Sequence, residues 1–481
     1  MKKSFIYLIP AIFLLAGCGK KISITINTNE STVAESSEKE SIQETEIKVQ
    51  NNVEMLKAHV YNKIADDGNT IPQLSVEENE KLNDIVNKIN NDWVGGYYPR
   101  INLTRTDTAV FSALLATTVV NGSTDTKELL RGVNIDPNTG KELKIEDVLK
   151  DPVELYDRLE KDNYLADEYG EDIEGLSDKL KTVLTNPDAF KLGANDKADL
   201  AWTLSSGGMM IYMTAKGEYG ERIVSIPLEY AIYGEFFSED ILRLPKDYAF
   251  EIPTGKEIKI NLDGKIRTVK IEQDIDEYLM LKEIDVTVDG EKSTYEEGAS
   301  YGISKVSVVK KGDNTYLYIE LQYDNDYNSI SIIDLNNKSE KMEIQESFAD
   351  TSLLNPDEFY LGNRIYTIST LGIEGRYTIA NNGMPNILEN YYTITTPIQL
   401  TTKISIKAKK LDGINGKELG DYDIPTGTLL VSIGTDTETF TDYTTSAGVI
   451  VRIPMQGAEE YGFMIEGRNV EDVFDGTIFA G

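Results

Sequence analysis

The chain of 481 residues contains one cysteine, Cys18, and one histidine, His59. A single cysteine excludes an intramolecular disulfide, so each part of the chain must hold through its core alone. Zinc sites draw on several His or Cys ligands, and this sequence cannot supply them. Basic residues are scarce: 48 Lys and Arg stand against 81 Asp and Glu, a net charge of −33. Such a surface repels phosphate backbones and anionic lipid, which argues against nucleic acid as a partner. It serves solubility, and it would attract a cationic protein. The apolar run from Phe5 to Leu15 is 11 residues long. A bilayer-spanning helix needs about 20, and Pro10 would kink this one.

What the chain does have begins at its first residues. Lys2 and Lys3 precede the apolar run, and Leu15-Ala16-Gly17-Cys18 closes it with small residues and the lone cysteine. This is the pattern of a secretory signal, and it resembles the lipobox of bacterial lipoproteins. The resemblance implies cleavage after residue 17 and a thioether-linked diacylglycerol on Cys18. Acylation stabilises membrane attachment by about 0.8 kcal/mol per buried methylene, and two or three chains anchor stably. Loss of Lys2 and Lys3 with the leader takes the net charge from −33 to −35. The middle of residues 18–50 is rich in Ser, Thr and Glu, with almost no large apolar side chains. They cannot bury a core and are expected to form a disordered tether.

The remaining length suits about three domains. The 27 Tyr against 13 Phe fit half-exposed strands better than deep cores. In residues 51–247, Val53 to Ala65 reads as a strand. Ser75-Val76-Glu77-Glu78 has the S-x-x-E form of a capping box. Leu82, Ile85, Val86, Ile89 and Trp93 then follow at helical spacing, with Gly95-Gly96 as a stop. Ala109 to Val120 reads as a buried strand, with a turn at Pro137 to Gly140 beyond it. Leu176, Leu180, Val183 and Leu184 mark a second helix. Ala201 to Leu204, Met209 to Thr214 and Arg222 to Ile226 read as strands. Three parts in combination carry a second resemblance: Ile71-Pro72-Gln73-Leu74-Ser75 with Asn87 to Asn90, the turn Asn134 to Lys141 with Leu143 and Asp147-Val148-Leu149, and the strand ending Val224-Ser225-Ile226-Pro227. Together they resemble the extracellular domain shared by lysozyme-sensing anti-sigma factors and the non-catalytic part of peptidoglycan deacetylases, over about residues 50–245. The resemblance implies an α+β fold and, in one branch, binding of a host muramidase. Asn121-Gly122-Ser123-Thr124 stands where that family has a Gly-Gly-Ala-His type turn. With no cytoplasmic anti-sigma segment before the anchor, signalling by regulated cleavage is not expected.

Residues 248–400 are strand-rich. Glu257 to Leu262, Thr268 to Glu272, Lys282 to Val288, Ser304 to Val309, Tyr316 to Gln322 and Ser329 to Leu335 alternate or run apolar between turn residues. Ile258 to Gly264 followed by Arg267 to Ile271 is similar to blade openings of FG-GAP-like propellers. Of the calcium-binding loop in such blades only Asn261, Asp263 and Gly264 are present, so no metal is assigned there. The span holds about three blades, short of the four a closed ring needs, and a partial propeller-like sheet is expected. Residues 401–481 carry short strands between Gly and Asp turns, which resemble a small SH3-like barrel. A closing helical turn from Val470 to Gly476 is expected to pack back with Phe479. The fold class read from the sequence is thus multidomain, an α+β domain followed by mostly-β domains.

Motifs that suggest catalysis lack their partners. Gly298-Ala299-Ser300-Tyr301-Gly302 matches G-x-S-x-G, but a strand follows where a helix is required, and the only histidine lies far upstream. Asp324-Asn325-Asp326-Tyr327-Asn328 opens like a calcium loop, yet position six is Ser329 and position twelve is Leu335. The Gly-Lys-Glu triplets at Gly140, Gly255 and Gly416 lack the flanking Gly and Ser/Thr of a phosphate loop. No catalytic residue, cofactor or metal ligand is therefore assigned. His59 reads as an ordinary packed or exposed side chain. The expectation is a non-enzymatic, lipid-anchored protein on the extracytoplasmic face of the cell membrane, binding an extracellular protein or a wall glycan. The alternatives are a wall glycosidase working with carboxylates alone and a structural envelope spacer. Replacement of the lipid-bearing side chain, Cys18→Ala, is expected to move the protein from the membrane fraction to the soluble fraction on cell fractionation.

Overall fold

The computed structural model describes residues 53–64, 70–92, 97–121, 125–165, 175–186, 200–217, 220–262, 265–298, 300–324, 328–337, 341–348, 353–457 and 463–479. The leader, Cys18 and the expected tether lie outside these residues, as do Trp93 and Gly95-Gly96. The described residues all fall within one compact unit, and the chain is mostly β, with its longer helices before residue 190.

The first layer contains a hairpin of β1 (Ala58–Ile64) and β2 (Thr70–Val76) and a helix, Glu80–Asp92. They pack beside the sheet of β3 (Tyr97–Thr106), β4 (Phe111–Asn121), β5 (Asp125–Asp136) and β6 (Lys141–Glu142), paired in that order. Leu82, Val86 and Ile89 form the buried face of the helix, as their spacing predicts. The capping box does not form at Ser75. Leu74 and Val76 are buried in β2, so Ser75 stays in a strand, opposite His59. The cap falls to Asn79, whose Oδ1 accepts a hydrogen bond from the Leu82 amide at 3.0 Å. The first strand also begins later than Val53, at Ala58. Residues 54–56 are instead taken up by backbone bonds to Thr106 and Thr108.

A second core gathers helices Ile145–Val148, Pro152–Lys161 and Leu176–Thr185 against β7 (Leu200–Leu204), β8 (Gly208–Gly217) and β9 (Gly220–Glu229). Helix Pro152–Lys161 was not anticipated, although Asp151 caps it and proline occupies its first turn. The two sheets meet where β7 crosses β5. A Cβ on Gly132 would lie 1.9 Å from the Trp202 carbonyl oxygen, so only glycine permits the approach. Buried polar groups bind the crossing together. Ser112 Oγ donates to Asn134 Oδ1 at 2.7 Å, Asn134 Nδ2 donates to the Trp202 carbonyl at 2.9 Å, and the Leu204 amide donates to Ser112 Oγ.

Below this crossing lies a buried ion pair. Arg105 Nε donates to Asp107 Oδ2 at 2.7 Å, and neither side chain is more than 1% exposed. Arg105 also donates to the carbonyls of Ile241 and Arg243, at 2.7 and 2.5 Å. Asp107 Oδ1 accepts from the amides of Ala109 and Val110. Burial opposes the charge on Arg105, but Asp107 beside it prevails and holds the guanidinium above its ordinary range.

The middle of the chain forms two antiparallel sheets. One pairs β11 (Glu257–Leu262), β12 (Lys265–Ile275), β13 (Leu281–Val288) and β14 (Glu291–Glu296) in order. The other runs β10 (Tyr248–Glu251), β15 (Gly302–Lys311), β16 (Asn314–Gln322), β17 (Asn328–Asp334), β18 (Lys341–Ile344). A shared core lies between them. β13 alternates buried and half-buried residues, whereas β16 is buried on both faces. Tyr316 and Tyr318 on its far face pack against Phe359, Leu361 and Tyr377.

The expected SH3-like barrel over 401–481 does not close. Among the described residues, most of its strands belong to an open eleven-stranded sheet that runs through the expected boundary at 400, while Gln456–Gly457, Phe463–Ile465 and Arg468–Asn469 form a separate three-stranded sheet. The path is β19 (Phe359–Tyr366), β20 (Thr370–Ile379), Tyr392–Ile394, Leu429–Thr435, Phe440–Thr445, Ile450–Pro454, Ile406–Leu411 and finally Glu418–Ile424. The junction is the pairing of Tyr392 with Thr435. The last strand is an edge, with Glu418, Asp421 and Asp423 along it and a register shift at Lys410/Leu411 beside it. A helical turn does form at Val470–Val473, but Phe474 fills the core, while Phe479 stays 47% exposed.

Removing one partner of the buried pair, in Asp107→Ala, strands a charge in the interior. Denaturant unfolding is expected to show a loss of about 3–5 kcal/mol.

Candidate functional site

A short turn positions the candidate site. Ser205 Oγ accepts from the amides of Gly207 and Gly208, both at 3.1 Å, and so folds Ser205–Gly208 between β7 and β8. A Cβ on Gly207 would come within 2.5 Å of the Phe250 ring, which seats β10 tightly on the turn. Beside the turn, β8 and β9 meet β10 and β11 around a cleft of about 60 Å³. That is room for a few water-sized groups. Its walls are largely apolar, among them Met209, Leu228, Phe250, Ile258 and Ile260, with Glu229, Glu251 and Lys259 as the charged residues.

Glu229 is the last residue of β9 and pairs with Gly208. The residue is half-buried, but its Oε2 is sealed from solvent and has no hydrogen-bond partner. Burial pushes its acidity to about 7, against the weaker pull of its own backbone amide and Lys259. Near neutral pH it therefore exists in both forms, and can either donate or accept a hydrogen bond. Glu251 lines the same cleft but is held by Lys305 at 3.4 Å.

A second cluster surrounds His59. Its Nε2 lies 2.9 Å from Glu374 Oε1, and its ring stacks on Tyr360 with centroids 3.9 Å apart. Burial and the neighbouring Glu358 hold the Tyr360 hydroxyl well above its usual range. Arg376 bridges Glu358 and Glu389, each at 2.9 Å. His59 thus ties the β1–β2 hairpin to β19 and β20. Among the described residues no group of three or more His, Cys, Asp or Glu is placed to hold a metal.

The other motifs resolve as structure. Ser300 is fully buried, its Oγ has no hydrogen-bond partner, and β15 follows directly. Asp263-Gly264 and Asn325-Asp326-Tyr327 lie outside the described residues. Gly140 and Gly416 sit in backbone-bonded turns, and Gly255 sits in a bend, its amide donating to the Ile271 carbonyl of β12. In the turn from Asn134 to Lys141, partial burial of Asp136 is outweighed by hydrogen bonds from Thr139 and Asn138. They hold its carboxyl below the ordinary range. Sequence reading passed over Glu229. The alternation Val224, Ile226, Leu228 puts it on the face opposite the core, and at the Glu229 end that face meets residues 250–253 and 258–260 across the cleft. No protein-family model matches this chain, and no curated protein matches it. Among the described residues no helix is long and apolar enough to cross a membrane.

A carboxyl protonated more readily when folded than when unfolded favours the folded state at low pH, and that advantage is lost as pH rises from about 4.5 to about 7. Glu229→Gln removes this dependence. Melting curves from pH 4 to 8 are expected to show equal stability of the two proteins at the acid end. Above pH 7 the variant should be more stable, by roughly 2–3 kcal/mol.

Proposed function

We propose that this is a lipid-anchored, non-enzymatic binding protein of the cell surface, tied to the outer leaflet of a Gram-positive-type membrane through Cys18. In this reading residues 18–50 are the tether and residues 51–247 the sensor-like binding domain. The two facing sheets within 248–400 are blade-like units of a partial propeller. The ligand is an extracellular protein, such as a lysozyme-like muramidase, or a wall glycan. One observation supports binding over catalysis in the cleft. Glu229 is the group there with shifted acidity, and its Oε2 is closed off, whereas a general acid must reach the atom it protonates.

A second reading has a specific observation behind it. Glu229, pushed to about 7, shares its cleft with the second carboxylate Glu251, and a glycosidase needs one protonated and one ionised carboxyl. Incubation of the purified protein with peptidoglycan separates the two. No release of reducing sugar is expected, and turnover abolished by Glu229→Gln would establish the glycosidase. In parallel, pull-downs against lysozyme and against soluble wall fragments are expected to retain one of the two. Retention of neither would leave a structural spacer.

A further inference from the structure

Among the described residues, the two most exposed large hydrophobic side chains are neighbours: Tyr278 at 75% and Leu279 at 73%. They stand at the tip of the β12–β13 loop, Asp276 to Met280. Asp276 holds that tip in one shape. Its Oδ1 accepts from the amides of Tyr278 and Met280 at 2.8 and 2.9 Å. Its amide donates to the Met280 carbonyl, and its carbonyl accepts from Leu279. Leu279 has φ +63°, in the left-handed region, where leucine is strained and glycine is not. Ile275, 40% exposed, stands at the base of the same loop. Tyr301, 46% exposed, follows Ser300, whose carbonyl accepts from Leu281 at the other side of that base.

The surroundings are acidic. From Glu272 to Glu283 there are five carboxylates, Glu272, Asp274, Asp276, Glu277 and Glu283, and one base, Lys282. Lys282 is already paired with Asp274 and Glu283, at 3.3 and 3.4 Å. A second copy would bring like charge to this tip, and an anionic bilayer would repel it for the same reason. A tip held in place loses little conformational freedom on docking. An aromatic anchor ringed by one sign of charge fits an oppositely charged protein face. We propose that the Tyr278–Leu279 tip docks into an apolar pocket on a cationic protein. The proposal rests on the surface-binding reading above and names the contact and the charge of its partner.

The test uses the full chain in detergent, with lysozyme and cytochrome c as two unrelated cationic probes, read by biolayer interferometry. The variant is Tyr278→Ser with Leu279→Gly. The glycine relieves the left-handed backbone, so its melting temperature should equal or exceed that of the parent. For at least one probe, affinity is expected to fall about tenfold or more in the variant. Binding by the parent should also weaken steeply between about 0.05 and 0.5 M salt. Unchanged affinity in the variant overturns the proposal while leaving muramidase binding standing, with its contact elsewhere. Binding of cytochrome c alone, weakened in the variant, supports the tip and removes the muramidase. Binding of neither probe overturns the proposal, and so does tip-dependent binding to phosphatidylcholine vesicles in their place.

Discussion

The buried Arg105–Asp107 pair is the constraint on which the first half of the molecule depends. An unpaired guanidinium in an apolar interior is strongly destabilising, so the chain must bring it an anion and further acceptors. Asp107 lies two residues away, but the acceptors are the carbonyls of Ile241 and Arg243, more than 130 residues along. The end of β3 is thereby bound to the segment that leads into β10. From there the chain builds the first wall of the two facing sheets, so a local charge fixes where a distant region begins.

Two other polar ties act at long range in the same manner. Ser112 and Asn134 lock β7 onto β4 and β5, and Gly132 clears the space for it. His59 reaches across 315 positions to Glu374 and rests on Tyr360. In a chain with no possible internal disulfide, these directed contacts supply the register that a cross-link would otherwise impose. They add specificity of arrangement to cores that are themselves non-directional.

This division explains what the sequence made legible. Most strands from Glu257 to Asp334 could be read closely, because alternation and continuous apolar runs are local properties of the chain, but β14, polar and mostly exposed, could not. The helix over 80–92 was legible in its apolar face but not at its start. Ser75 offered the same capping chemistry as Asn79, and the pairing of β2 with β1 decided between them. The barrel failed because the pairing of Tyr392 with Thr435 joins segments that composition alone would separate. Glu229 was illegible for a related reason: its acidity comes from a covering layer that arrives twenty residues later.

The outermost strand of the large sheet, Glu418–Ile424, has consequences beyond the single molecule. Among the described residues it pairs with Ile406–Leu411 alone, and an unpaired edge can template another extended segment. Glu418, Asp421 and Asp423 carry negative charge along it, and the register shift at Lys410/Leu411 interrupts its ladder. Two such borders repel each other before they can zip together. An uncharged, uninterrupted border in the same place would invite edge-to-edge aggregation.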